Sequence, residues 1–234
     1  FITNSGTDIT SLVTVTAVTG TVEGRTGHDG RPAKEISTIL VPAGTEGFSV
    51  AKAYDKVGWN SSDTHALHFS DVRVPEENLL GARGRGFAHF LEILDEGRIA
   101  IAALATGAAQ GCVDESVAYA KQRTSFGQKI GQFQAVSFKI ARMQARAHAA
   151  RLAYYEAAQK MLAGKPFKTE AAMAKLIAGE AAMDNARDAT QVFGGYGFMN
   201  ETLVARHYRD SKILEVGEGT TEVQLMLIAR ELGL

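Results

Sequence analysis

The longest unbroken pattern in the chain is residues 87–123, FAHFLEILDEGRIAIAALATGAAQGCVDESVAYAKQR. It constrains the fold most, because little but the glycines at 97, 107 and 111 would stop a helix there. At ~1.5 Å per residue such a helix spans about 55 Å. Its middle, residues 100–111, is dominated by Ala and Gly, which permits close approach of one helix to another and favours a bundle. Residues 132–163 continue the theme, with Phe133, Val136, Ile140, Met143 and Ala147 spaced three and four apart. Gly164-Lys165-Pro166 reads as a stop and restart. Residues 167–193 then carry Met173, Leu176, Ile177 and Met183 on one side. Such stripes predict the inner faces of an up-and-down four-helix bundle.

The first part of the chain has the other period. Residues 12–19 are rich in β-branched side chains with partial alternation. GRTGHDGRP at 24–32 has the composition of an exposed connection. Further strands are expected at 36–41, 48–51 and 65–74, the last ending before Pro75. Short strands at this spacing predict an antiparallel sandwich or barrel. At Asn78-Leu79-Leu80-Gly81 the composition changes, and Gly84-Arg85-Gly86 reads as the hinge. The expected class is therefore α+β, with a β domain over 1–84 and a helical bundle over 85–234.

With 25 Lys+Arg against 26 Asp+Glu, the 234-residue chain lacks the basic face of a nucleic-acid binder. No apolar run approaches the ~18 residues of a membrane span. The single cysteine, Cys112, lies in a small-residue helical stretch and reads as a buried, inert thiol, which excludes an intrachain disulfide. His65 and His68 read as strand-surface residues, and no cluster of Cys, His and carboxylates predicts a metal site.

Chemistry concentrates near the C-terminus, in SKILEVGEGTTEVQLMLIARELGL at 211–234. Glycines on both sides of Glu218 free the backbone to bend and let a ligand come close. Thr220 or Thr221 is the expected N-cap of the last helix. The Glu218 carboxylate has two readings: an acid favoured by the helix dipole, or a general base held over a substrate carbon. Upstream lie KQRTSFGQKI at 121–130 and QVFGGYGF at 191–198. In the second, three glycines among aromatics allow backbone N–H groups to face a phosphate or nucleotide. In LDEGRI at 94–99, Asp95 and Arg98 are three apart, so they either pair across a helical turn or serve a ligand.

GEGTTEVQ, KQRTSFGQKI and QVFGGYGF together resemble the acyl-CoA dehydrogenases, along the whole chain. The resemblance implies an FAD-dependent enzyme that desaturates an acyl-CoA thioester between Cα and Cβ. Glu218 would take the Cα proton and flavin N5 the hydride from Cβ. The base sits at position 97 in some members; here that residue is Gly97, which leaves Glu218 as the one candidate at either position. The resemblance assigns polarisation of the thioester oxygen to the FAD ribityl hydroxyl and the Glu218 backbone N–H, and makes Asp95, Arg98 and Gly219 substrate residues. It makes Phe1, Thr3, Arg123, Phe126, Gln191, Gly195, Thr220 and Glu222 cofactor residues. Of these, Arg123, Gln191 and Gly195 would hold the ADP half of a neighbouring subunit's FAD.

The resemblance further implies a homo-oligomer, as a tetramer built from two dimers, and an electron-transfer flavoprotein as electron acceptor. The compartment would be the cytoplasm of a bacterium or the mitochondrial matrix of a eukaryote. It also implies that the family's N-terminal helical domain is absent from this sequence. One departure is Gly217, where many members carry Tyr, and it bears on pocket width. Two other functions stay open at this point: an acyl-CoA oxidase reoxidised by oxygen, and a non-catalytic helical assembly module.

Overall fold

The computed structural model describes residues 2, 3, 6, 10–27 and 29–234. It divides into two compact units, Phe1–Ile93 and Leu94–Leu234. The first is built on antiparallel strands. β1 (Ile2–Thr3) is followed by β2 (Leu12–Thr26) and β3 (Pro32–Pro42), then by β4 (Phe48–Val50), β5 (Thr64–His65), β6 (Leu67–Phe69) and β7 (Leu79–Leu80). β2 and β3 pair from Leu12↔Pro42 to Thr26↔Pro32, and β7 lies on the other edge of β3. Val13 and Val41 face each other in this register and are both buried, as alternation along a half-buried strand requires. β1 pairs with β5, and β4 with β6, where Phe48 and Phe69 stack with ring centroids 4.9 Å apart.

Two strand ends differ from expectation. β2 runs on to Thr26, inside the stretch expected to be a connection, because register shifts after Val18 and Thr21 let pairing continue. The strand expected to reach residue 74 stops at Phe69. There the Ser70 N–H donates to the Gly47 carbonyl, and Asp71 takes φ +51, which turns the chain away. His65 also differs from its surface reading. It is half-buried, with Nδ1 2.7 Å from the Ala51 carbonyl and Nε2 2.8 Å from Asp63.

α1 (Gly86–Gln122) begins against β3, where a Cβ on Gly86 would lie 2.4 Å from the Ser37 carbonyl carbon. Only glycine allows that approach. Ser37, fully buried, accepts a hydrogen bond from the Gly84 N–H at 2.9 Å and shares another with Thr19 at 2.7 Å.

In the second unit α1 is followed by the hairpin β8 (Thr124–Ser125) and β9 (Gln128–Lys129), then by α2 (Gln134–Leu162) and α3 (Lys168–Phe193). α4 (Leu203–Ser211), α5 (Ile213–Val216) and α6 (Thr221–Glu231) complete it. Cys112 and Val113 of α1 pack with Met143 of α2, Ala186 and Ala189 of α3 and Val204 of α4. Asn185, fully buried, donates to the carbonyls of Ala109 at 3.1 Å and Met143 at 2.9 Å, tying three helices together.

The stripe expected on α3 is not its inner face. That face is Ala171, Ala174, Ala178, Ala182, Ala186 and Ala189, with Lys175 and Asn185 between them, while Ile177 is 40% exposed. Alanine gives little apolar area per residue, but it brings helix backbones into close dispersion contact. The architecture is α+β: antiparallel strands first, then a helical bundle. Among the described residues no helix is long and apolar enough to cross a membrane.

Candidate active site

α5 closes with the Gly217 N–H on the Ile213 carbonyl at 2.7 Å, and α6 opens at Thr220, whose hydroxyl accepts from the Val223 N–H at 3.4 Å. Of the two N-caps the sequence offers, Thr220 and Thr221, the structure uses Thr220. Between them Glu218 has φ +55 and Gly219 φ +93. Glycine adopts such a backbone freely, but for a glutamate it costs on the order of 1 kcal/mol and persists only where the surroundings impose it.

The turn carries the half-buried Glu218 side chain to Gly97 on α1, where an added Cβ would lie 2.6 Å from Oε2. Position 97 and the Glu218 carboxylate therefore occupy one space. No hydrogen bond among the described residues ties that carboxylate down. It stands as an acceptor beside a gap that glycine keeps open.

Two buried polar side chains hold the turn from beneath, and neither stood out in the sequence. Gln224 Nε2 donates to the Gly219 carbonyl at 2.9 Å and to the Glu218 carbonyl at 3.3 Å. Lys175 Nζ donates to the carbonyls of Glu215 at 2.9 Å and Gly219 at 2.6 Å. Burial pulls the Lys175 ammonium from its ordinary 10.5 down to about 8. The Glu215, Glu218 and Glu222 carboxylates oppose that shift and the Arg98 guanidinium adds to it. One signal could have found Lys175: a lone cation in the middle of an alanine face.

Asp95 and Arg98 pair with each other across one helical turn, through Oδ1 and Nη1. Arg98 is only 4% exposed, and its Nε has no hydrogen-bond partner among the described residues. Glu222, exposed in the first turn of α6, is held below the usual carboxylate range by its own backbone N–H and by the Thr220 hydroxyl.

A second constellation forms around Arg123, just past the end of α1. β8 and β9 pair Ser125 with Gln128, leaving Phe126 and Gly127 as the turn with φ +48 and +81, both positive as a type I′ turn requires. Phe126 is 94% exposed, with its ring edge-on to Phe133. Gly194 ends α3 with φ +60, and a 3₁₀ turn follows over Gly194–Phe198. The Arg123 guanidinium lies 5.8 Å from the Tyr196 ring centroid.

A cleft of about 440 Å³ is lined here by Arg123, Ser125, Phe193, Gly194, Gly195 and Tyr196 among others. A Cβ on Gly194 or Gly195 would meet nothing within 4 Å, so their backbone is open to a ligand. A Cβ on Gly197 would lie 2.2 Å from the Thr190 carbonyl, so that glycine serves packing. Gln191 is exposed at the end of α3. An exposed guanidinium and open glycine backbone form a donor set suited to a flat, anionic group.

The structure thus gathers Glu218, Gly219, Thr220 and Glu222 on one turn, and Arg123 with Gly195 in the lining of one cleft, while Gln191 is exposed beside the lining residue Val192 without lining the cleft itself. Thr3 is described by its backbone, in β1, and Phe1 lies outside the described residues. Cys112 is inert: burial, then the nearby Glu115 carboxylate, push its thiol up to about 12. Among the described residues no group of three or more His, Cys, Asp or Glu could hold a metal.

Residues 84–233 match the family described as acyl-CoA dehydrogenase, C-terminal domain. The chain is 44% identical to the short-chain-specific acyl-CoA dehydrogenase of Megasphaera elsdenii over 97% of its own length and 57% of that protein's. A chain in a structure described as the electron transferring flavoprotein of Acidaminococcus fermentans superposes with a TM-score of 0.90 at 40% identity, over 99% of this chain and 58% of that one. A structure described as the FAD complex of PigA superposes with a TM-score of 0.89 at 31% identity, over 100% and 58%. The chain thus spans a little over half the length of the proteins it matches.

Proposed function

Because the chain belongs to the acyl-CoA dehydrogenase family, we propose that the protein it forms desaturates an acyl-CoA thioester with FAD, and that Glu218 is its base. The observation that carries this is the Glu218 carboxylate, set by a left-handed backbone into the space left by Gly97. A carboxylate serving only the α6 dipole would not need that conformation, since Thr220 already caps the helix.

In this reading Glu218 takes the proton from Cα through a carboxylate oxygen and holds it. Its backbone N–H donates to the thioester oxygen, which makes the Cα proton acidic enough to leave. Gly219 lets the thioester approach the main chain, while Asp95 and Arg98, already paired, face the CoA end. FAD, when bound, supplies the acceptor for the two electrons that leave Cβ.

The exposed Arg123 guanidinium and the open backbone at Gly194 and Gly195 support a place for that group. Arg123, Gln191 and Gly195, with Phe126 beside them, would hold the ADP half from a neighbouring subunit, and Thr220, Glu222, Thr3 and Phe1 would border the flavin. The exposed Phe126 and Phe198 support assembly with further copies, by family resemblance a tetramer. The reading treats residues 1–84 as the β domain and 85–234 as the helical domain. It also takes an electron-transfer flavoprotein as the acceptor, in the cytoplasm of a bacterium or the mitochondrial matrix.

The test is anaerobic mixing of the FAD-loaded full-length protein with a panel of straight and branched acyl-CoA thioesters. The proposal expects the flavin absorbance to bleach, with one enoyl-CoA formed per flavin, and expects an electron-transfer flavoprotein to restore the colour faster than air. An unchanged spectrum across the panel would contradict the desaturase reading, and faster recovery in air would replace the acceptor.

A further inference from the structure

We infer that Lys175 is a positioning residue for the Glu218 turn: its buried ammonium ties down the backbone on both sides of the glutamate and so fixes where the carboxylate sits. The inference rests on Glu218 being the base. Lys175 lies two turns into α3 and is 1% exposed. Its Nζ reaches carbonyls 40 and 44 residues away in sequence, that of Glu215 before Glu218 and that of Gly219 after it.

Taking an ammonium out of water is costly, and the α3 face around Lys175 is otherwise alanine and glycine. An apolar residue would be cheaper there unless the charge held something in place. What it holds is a turn with two successive positive φ angles, +55 and +93, which has no regular hydrogen-bond ladder of its own. The last carbonyls of a helix have no partner within it, and α5 ends with the Glu215 carbonyl on Lys175.

One turn further along the same face, a Cβ on Gly179 would lie 2.8 Å from the Leu214 carbonyl. α5 thus rests directly on α3. Gln224 takes the Gly219 carbonyl as well, at 2.9 Å, so two buried donors converge on one oxygen. Losing the lysine frees that peptide to rotate, and the Glu218 side chain moves with it. The charged groups around Lys175 are Glu215, Glu218, Glu222 and Arg98. An apolar substitution therefore removes a cation from under three carboxylates as well as two hydrogen bonds.

The experiment uses the FAD-loaded full-length protein and an acyl-CoA analogue with sulfur at the β position. That analogue has no hydride to lose, so entry of solvent deuterium at its Cα reads the base alone. Lys175→Met should slow this exchange at least about tenfold while analogue affinity stays within about threefold and FAD remains stoichiometric, a loss confined to the proton-transfer step. Lys175→Gln keeps N–H donors on a shorter, uncharged arm and should fall between Lys175→Met and the parent.

Exchange in Lys175→Met within about threefold of the parent would overturn the assignment. So would exchange and affinity falling together, or neither variant accumulating as folded, FAD-bound protein, since each of these marks a lysine that only supports the fold. Glu218→Gln is run alongside. If it keeps exchange, the base assignment itself fails; if it loses exchange while Lys175→Met keeps it, only the positioning role fails.

Discussion

Gly97 and Glu218 compete for one volume, and the clash falls on the far end of a flexible side chain rather than on backbone. An added methyl at 97 should therefore leave the fold intact and push the carboxylate aside. For Gly97→Ala we expect thermal stability equal to the parent or slightly higher, because alanine is the better helix former by ~0.5–1 kcal/mol. Turnover should fall by about tenfold or more, since a small displacement at the reacting atoms is costly. Thermal melts and steady-state rates on the same preparation check both halves, and unchanged turnover would show that the gap at 97 is not used. The bracketing glycines and the threonine that follows marked the Glu218 turn in the sequence, but they left base and dipole partner both open, and only the family resemblance favoured the base. Lys175 stands out only as a lone cation on an alanine face, and what it holds was not legible, because its partners are main-chain carbonyls, which leave no residue-type signature.

At the scale of elements, α3 is the platform on which the turn is built. It offers an alanine face with Asn185 at one level, where α1 and α2 meet, and Lys175 and Gly179 at another, where α5 rests. The chain's hydrophobic stripes marked α2 and α3, but not the inner face of α3, and the short helices α4 and α5 went unmarked. Met173, Leu176 and Ile177 look like core by size, yet close helix approach favours alanine and glycine on the axis facing the neighbours, with Lys175 and Asn185 there as hydrogen-bond donors. Gly179→Ala differs from the change at 97, because its methyl would meet the Leu214 carbonyl, which moves only if α5 moves. We expect a loss of ~1–3 kcal/mol in stability from this overpacking, with a lowered melting temperature and a parallel loss of turnover. Gly107→Ala on α1, where an added Cβ meets nothing within 4 Å, is the control and should melt no lower than the parent. A Gly179→Ala protein as stable and active as the parent would mean that α5 does not depend on that contact.

At the scale of the molecule, the Glu218 turn and the Arg123 cleft lie in the same unit and share no residue, and the proposed function assigns them to different copies of the cofactor. The glycine-rich motifs of both were visible in sequence. What the sequence could not give was the division of labour among their glycines, since Gly194 and Gly195 open onto space while Gly197 packs against Thr190. Phe126, held outward by a type I′ turn that prefers smaller residues, makes sense where another surface covers it. These features bear on assembly, whereas the central claim is that one carboxylate in this chain removes the Cα proton. Its most direct test is Glu218→Gln in the FAD-loaded full-length protein, followed by flavin bleaching in a single anaerobic turnover. The account predicts FAD content and acyl-CoA affinity like the parent's with bleaching slowed by ~10²–10⁴-fold, the contribution of a placed general base; bleaching within about tenfold of the parent would contradict it.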